Sequence, residues 1–159
     1  MSRITNNTTG TQPIIVIGLS GANLANSQQT ITVSGTTDVN IVNATGVHSY
    51  TTFTDTDQRK LSTPASNEIK TNVVVDQLQF FGNAAAAANT APLLGISTIS
   101  SAKDPIDFKV FMAGNITGQP TYSGSGFVTS ISLKTTPTAP IFVTPIDIAV
   151  DGTFTIGSV

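Results

Sequence analysis

The sequence predicts a mainly β fold: a β-sandwich or partial barrel with one short flanking α-helix. Three observations carry this. Residues 126–134 and 141–150 alternate in polarity, the period of a strand with unlike faces. Threonine occurs 26 times in 159 residues; it is β-branched and suits strands while keeping a hydroxyl for solvent. Only 10% of residues are charged, against about 25% in ordinary soluble domains. A surface built from neutral polar groups repels its own copies weakly, which favours self-assembly.

The chain length suits one domain, 1–159, with residues 1–13 as an N-terminal arm and 44–69 as a long loop. Net charge is −2, and of the seven Lys and Arg only Arg59 and Lys60 are adjacent. No basic patch forms, which argues against tight nucleic-acid binding. Cysteine is absent, so thiolate metal sites and disulfides are excluded. No apolar run approaches the roughly 20 residues of a membrane-spanning helix, and no membrane partner is expected. The opening residues lack a charged segment followed by an apolar run, so no secretory leader is expected. The sequons at Asn7, Asn43 and Asn115 are then expected to stay unmodified.

In chain order, residues 14–19 (IIVIGL) predict a short buried strand between Pro13 and Gly21. Residues 30–43 predict two strand pieces, Ile31/Val33 and Val39/Ile41, joined as a hairpin across residues 35–38. Residues 44–69 are polar throughout and carry Asp55, Asp57, Arg59, Lys60 and Glu68. Loops beyond about 12–15 residues are uncommon unless they have a task. Residues 70–81 alternate as a strand, with Val74, Asp76, Leu78 and Phe80 on one face. Leu93, Ile96 and Ile99 form an apolar stripe on a short helix near 91–101, which Asp104-Pro105 terminates.

Residues 106–112 predict a strand with Ile106, Phe108, Val110 and Met112 inward and Asp107 and Lys109 outward. Residues 113–125 predict a Gly-rich loop. The strand at 126–134 is expected to place Phe127, Thr129, Ile131 and Leu133 on one face and Val128, Ser130, Ser132 and Lys134 on the other. Pro137 and Pro140 break the run. A strand over 141–150 follows, with Ile146, Ile148 and Val150 on one face. Asp151-Gly152 predicts a turn before a short terminal strand.

Site chemistry is sparse. His48 is the single histidine, set in a polar stretch without a nucleophile elbow. Asp55-Thr56-Asp57 opens like a calcium loop, but the sixth position, where glycine is needed, holds Lys60. Gly124-Ser125-Gly126 is too short for a phosphate-binding fingerprint and no helix follows it. Asp147 and Asp151 lie near a turn, where solvation is the plain reading. No enzyme, cofactor or metal is expected.

The segment Tyr122-Ser123-Gly124-Ser125-Gly126-Phe127-Val128-Thr129-Ser130-Ile131-Ser132-Leu133 resembles a motif of the major tail tube proteins of long-tailed bacteriophages. In that family a Y-S/T-G-x-G/A-x-V-T-S strand leads into a turn and a second long strand with a glycine-bearing terminal piece. Thr135–Ala139 and residues 151–157 occupy those places. The similarity covers about residues 68–157. It departs at the turn, which lacks an acid, and at Pro145, inside the last long strand.

The resemblance implies ring-shaped hexamers whose inner strands join into a barrel. The rings would stack into a tube conducting double-stranded DNA without specific binding. It implies other tail proteins as partners (tape measure, terminator, distal tail), a place in the virion tail, and assembly in the host cytoplasm. A capsid decoration protein or another non-enzymatic β-sandwich binding module is the alternative.

Residues 50–66 are the candidate inter-ring contact. Asp55, Asp57, Arg59 and Lys60 put mixed signs within six residues, with Phe53 and Leu61 as apolar anchors. The face bearing Asp107, Lys109, Ser130 and Ser132 is expected to line the lumen or the outer surface.

Overall fold

The computed structural model describes residues 12–33, 35–53, 56–133 and 143–159. The expected N-terminal arm lies almost wholly outside these residues. The elements are β1 (Ile14–Leu19), β2 (Thr30–Val33), β3 (Thr36–Tyr50), β4 (Arg59–Val74), α1 (Gln77–Phe81), α2 (Ala91–Ala102), β5 (Ile106–Phe111), β6 (Pro120–Ile131) and β7 (Val143–Ser158). All strands join one antiparallel sheet in the order β2-β1-β5-β6-β7-β4-β3.

That order forces a roll. β2 and β3 follow each other in sequence but stand at opposite ends of the sheet. Val33 and Thr36 are three residues apart, a reach of at most about 11 Å. The sheet must therefore curl until its two ends nearly meet. Two bonds fasten that corner: the Thr36 hydroxyl donates to Val33 O at 3.2 Å, and Val74 N donates to Gly35 O at 2.8 Å. The curl is made by β6 and β7, whose mutual register shifts between Ser123 and Ser125 and again between Val128 and Ser130. Bulges of this kind bend a strand and raise its twist. The outcome is a partial barrel in a single sheet. The hairpin expected across residues 35–38 is replaced by this corner, and β2 pairs with β1 instead.

One core fills the roll. Ile15, Ile17, Ile31 and Val33 meet Phe108 and Val110 from β5, Ile69 and Val73 from β4, and Ile146 and Ile148 from β7. Phe154 caps it by edge-on contacts with Phe108 at 6.3 Å and Tyr122 at 5.9 Å. The helices add Phe80, Ile96 and Ile99, all fully buried.

Several expectations change. The strand expected over 70–81 ends at Val74. Asp76 then caps α1, its carboxylate accepting from Leu78 N and Gln79 N at 3.0 Å each, so Phe80 reaches the core from a helix. The helix near 91–101 forms as Ala91–Ala102, with Lys103 in the left-handed conformation at its end. β5 buries Ile106, Phe108 and Val110 as expected. The Gly-rich loop is shorter than 113–125, because β6 starts at Pro120. Asp151-Gly152 is a bulge within β7, which runs unbroken to Ser158.

The largest correction concerns 44–69. Residues 44–50 belong to β3 and 59–69 to β4, paired from Thr36↔Val73 out to Tyr50↔Arg59. What polarity presented as a loop is a long hairpin.

Candidate functional site

The chemistry of this molecule lies in its edges. β4 pairs with β7 only from Asn67↔Val150 to Val74↔Val143. Beyond Asn67, residues 59–66 of β4 pair with β3 alone. The hairpin outside Asn67 is thus a two-stranded arm extending about 20 Å at the usual rise per residue. Its residues are exposed on both faces, including Val47 at 60% and Leu61 at 56%. An isolated two-stranded ribbon is marginal in water, so cover by a partner would stabilise it.

The arm leaves the sheet at a fork. Asn67 is 5% exposed and donates through Nδ2 to Gly152 O at 2.6 Å, tying the root of the arm to the β7 bulge. β6 also has a side without a strand partner along residues 127–131, where α2 packs against it and the Ser100 hydroxyl donates to Val128 O at 3.4 Å. β5 follows it only as far as Ile106↔Gly126, leaving residues 127–131 bonded to β7 on one side and to no strand on the other. At the far end of the order, the outer side of β3 is likewise unpaired along its length. Such edges invite pairing with another chain, and β3 carries a single charged residue, Asp38, to discourage it.

Between these edges, β6, β7, β4 and β3 present one outward face. Asp147 stands opposite Ser130 on one side and Lys70 on the other. Lys70 Nζ lies 3.3 Å from a Glu68 oxygen. Asp38 accepts from Asn72 N at 2.9 Å and from its side-chain amide. The face therefore carries three carboxylates against one ammonium.

The sequence-predicted residues are distributed as follows. Phe53 is fully exposed at the arm tip and Asp57 is exposed beside it. Arg59, Lys60 and Leu61 open β4, opposite Tyr50, Ser49 and His48. Asp55 lies outside the described residues. The arm thus gathers the inter-ring candidates at one end. The lumen candidates are not gathered. Ser130 and Ser132 are exposed at the end of β6, whereas Asp107 and Lys109 lie on β5, in the other part of the roll. From sequence, Glu68 is expected in a polar loop, Asp147 in solvent near a turn and Lys70 in no role, although alternation with Ile69 and Ile148 marks all three as outward.

Asp107 has a structural task. Its carboxylate accepts from Gly21 N at 2.7 Å and from the Ser125 hydroxyl at 2.6 Å, latching the turn after β1 onto β6. Asp107→Ala should cost about 1–2 kcal/mol of stability, read as a lowered urea midpoint in the monomer. An unchanged midpoint would show the latch to be idle.

His48 is exposed on the arm across from Leu61. Among the described residues, no group of three or more His, Cys, Asp or Glu could hold a metal ion.

The fold is a rolled antiparallel sheet with two edges that lack a partner strand, a flanking helix pair and a projecting hairpin. Solved structures share this fold. A chain in the tail of an empty gene transfer agent particle, refined with C6 symmetry, superposes with TM-score 0.59 at 16% identity, covering 91% of this chain and 96% of that one. A chain of the sheath-tube complex of an extracellular contractile injection system, PVC, in its extended state gives TM-score 0.54 at 14% identity, over 97% and 95%. A chain in the anti-feeding prophage tube-terminating cap gives 0.54 at 16%, over 91% and 88%. No protein-family model matches the sequence, and no curated protein does.

Proposed function

We propose that this chain is a tail tube subunit: a non-enzymatic structural protein of a virion tail that closes into six-fold rings, which stack into a conduit for DNA. The observation that carries this reading is the pair of edges without a partner strand that flank β6-β7-β4-β3. Strand direction alternates across these four, so β3 of one copy meets β6 of the next in the antiparallel sense. Repeated around a ring, this junction pairs both of these edges. The C6 symmetry of a tail that shares the fold supports six copies.

In that ring the outward face of Asp147, Lys70, Glu68 and Asp38 lines the lumen, with Ser130 beside it. Phosphate neutralisation by Lys and Arg drives DNA adhesion. A face with more carboxylates than ammonium groups lets double-stranded DNA pass without specific binding. Asp107 and Lys109 fall on the outer part. The arm supplies the contact between rings, and the ends of the tube meet the tape measure, terminator and distal tail proteins. Assembly takes place in the host cytoplasm.

Negative-stain electron microscopy of the concentrated purified chain tests this. Hollow six-fold rings and stacked tubes are expected. Monomers or trimers alone, with matching sedimentation, would overturn it in favour of a decoration protein or binding module.

A further inference from the structure

β1 has a feature that a simple two-faced strand lacks. Val16 lies between the inward Ile15 and Ile17 and so points out of the core, yet it is only 8% exposed. It belongs to a groove of about 520 Å³ on the outward side of β2, β1 and β5, lined by Ile14, Leu24, Phe111, Val159 and Lys109. That size lies within the roughly 300–1,000 Å³ typical of apolar sites that enclose a ligand. The Lys109 ammonium lies 5.0 Å from the Phe111 ring centroid, and no carboxylate among the described residues pairs with it. The groove is thus a mixed trough, apolar at Ile14, Val16, Leu24 and Phe111 and polar at Thr32 and Asn115, with one cation on its wall.

We propose that this groove seats the arm tip of a second copy, with Phe53 entering the trough and Asp57 approaching Lys109. The tip has the matching chemistry. Phe53 is a fully exposed aromatic ring, and Asp57 is an exposed acid four residues on. Of the nearby cations, Arg59 already has a partner within the chain, and Lys60 sits back on the strand opposite Ser49. No residue of the chain's own arm lines the groove. Seating would cover the ring at the tip of a ribbon that has little stability alone. Buried aromatic anchors near the centre carry much of the binding energy of an interface. The proposal rests on the tube reading for its supply of repeated copies and adds the place where the arm lands.

The absence of cysteine makes disulfide trapping clean. A tagged Thr56→Cys chain, which keeps Phe53 and Asp57, is mixed with untagged Ser27→Cys chains, Thr56 being exposed at the arm tip and Ser27 exposed on the groove wall. The control is Ser101→Cys, exposed on α2. Under mild oxidation, the tagged–untagged dimer should form at least about tenfold faster with Ser27→Cys than with Ser101→Cys, as expected of a seated geometry. Equal rates would overturn the seat. Lys109→Asp alone should reduce assembly about tenfold or more, since it sets like charges together, and Asp57→Lys in the same chain should restore it. Wild-type assembly by the single variant would overturn the charge contact. Tubes without trapping at Ser27 would overturn the seat alone. Trapping in a protein that forms no tubes would overturn the tube reading and leave the seat standing.

Discussion

Val128→Asp should abolish folding, while Phe127→Asp, one residue earlier, should leave the monomer's stability within about 1 kcal/mol. Val128 is 3% exposed and belongs to the core; Phe127 is 39% exposed and points outward. An aspartate at 128 forfeits about 1.5–3 kcal/mol of apolar burial. It also strands an unpaired carboxylate where breaking a buried pair typically costs about 3–5 kcal/mol. Together these come to about 4.5–8 kcal/mol, as large as the lower part of the stability of a domain this size, about 5–15 kcal/mol. At 127 the new carboxylate stays in water beside Ala149, its cross-strand neighbour. Circular dichroism of the two purified variants decides it. Two equally folded proteins, or two equally unfolded ones, would contradict the assignment of faces.

Alternation alone places Phe127 inward and Val128 outward, and the structure shows how that reading fails. A bulge between Val128 and Ser130 resets the phase of β6. Upstream of it the even positions face the core; downstream, Ile131 packs against the core from an odd position. A period of two assumes an unbroken strand, and bulges leave little trace in composition. Where strands are short and regular, the pattern was legible. β1 and β5 form within a residue of the expected bounds, and α2 ends just before Asp104-Pro105.

The arm was the least legible element. A strand signals itself when one face is buried and the other wet, and residues 44–50 and 59–66 are wet on almost every side. Their threonines and serines therefore show no period, and polarity suggests a loop. The cluster of charges at the arm tip was visible nonetheless, because charge grouping does not depend on secondary structure. The acidic face was missed for a different reason. Glu68, Lys70 and Asp147 come from two strands far apart in sequence, and only the β4–β7 register brings Lys70 opposite Asp147.

Gly95→Ala should destabilise the monomer by about 4 kcal/mol, about two to four times the cost of the same change at Gly118. Gly95 interrupts α2 with φ 74° and ψ 158°, a region open essentially to glycine alone. A Cβ there would also strike the backbone of α1, at Gly82 N and Phe80 O. Gly82 mirrors this arrangement. It ends α1 with φ 91° and ψ 156°, and a Cβ on it would strike Leu93 O. The two helices thus meet backbone to backbone at a pair of glycines, fastened by Asn83 N donating to Pro92 O at 2.8 Å. Backbone cannot step aside as a flexible side chain can, so relief requires the helices to separate, which would expose Phe80 and Ile96. Gly118 has a similar φ of 84°, but a Cβ added there would meet nothing within 4 Å, so alanine bears only the conformational cost of about 1–2 kcal/mol. Gly82→Ala and Gly95→Ala combined should cost less than the sum of the two, because either one opens the same gap. Urea unfolding, followed by circular dichroism at a dilution that keeps the chains monomeric, measures all four variants. If Gly95→Ala costs no more than Gly118→Ala, the helices do not meet at these glycines, and the docking of Phe80 and Ile96 must rest on side-chain packing alone.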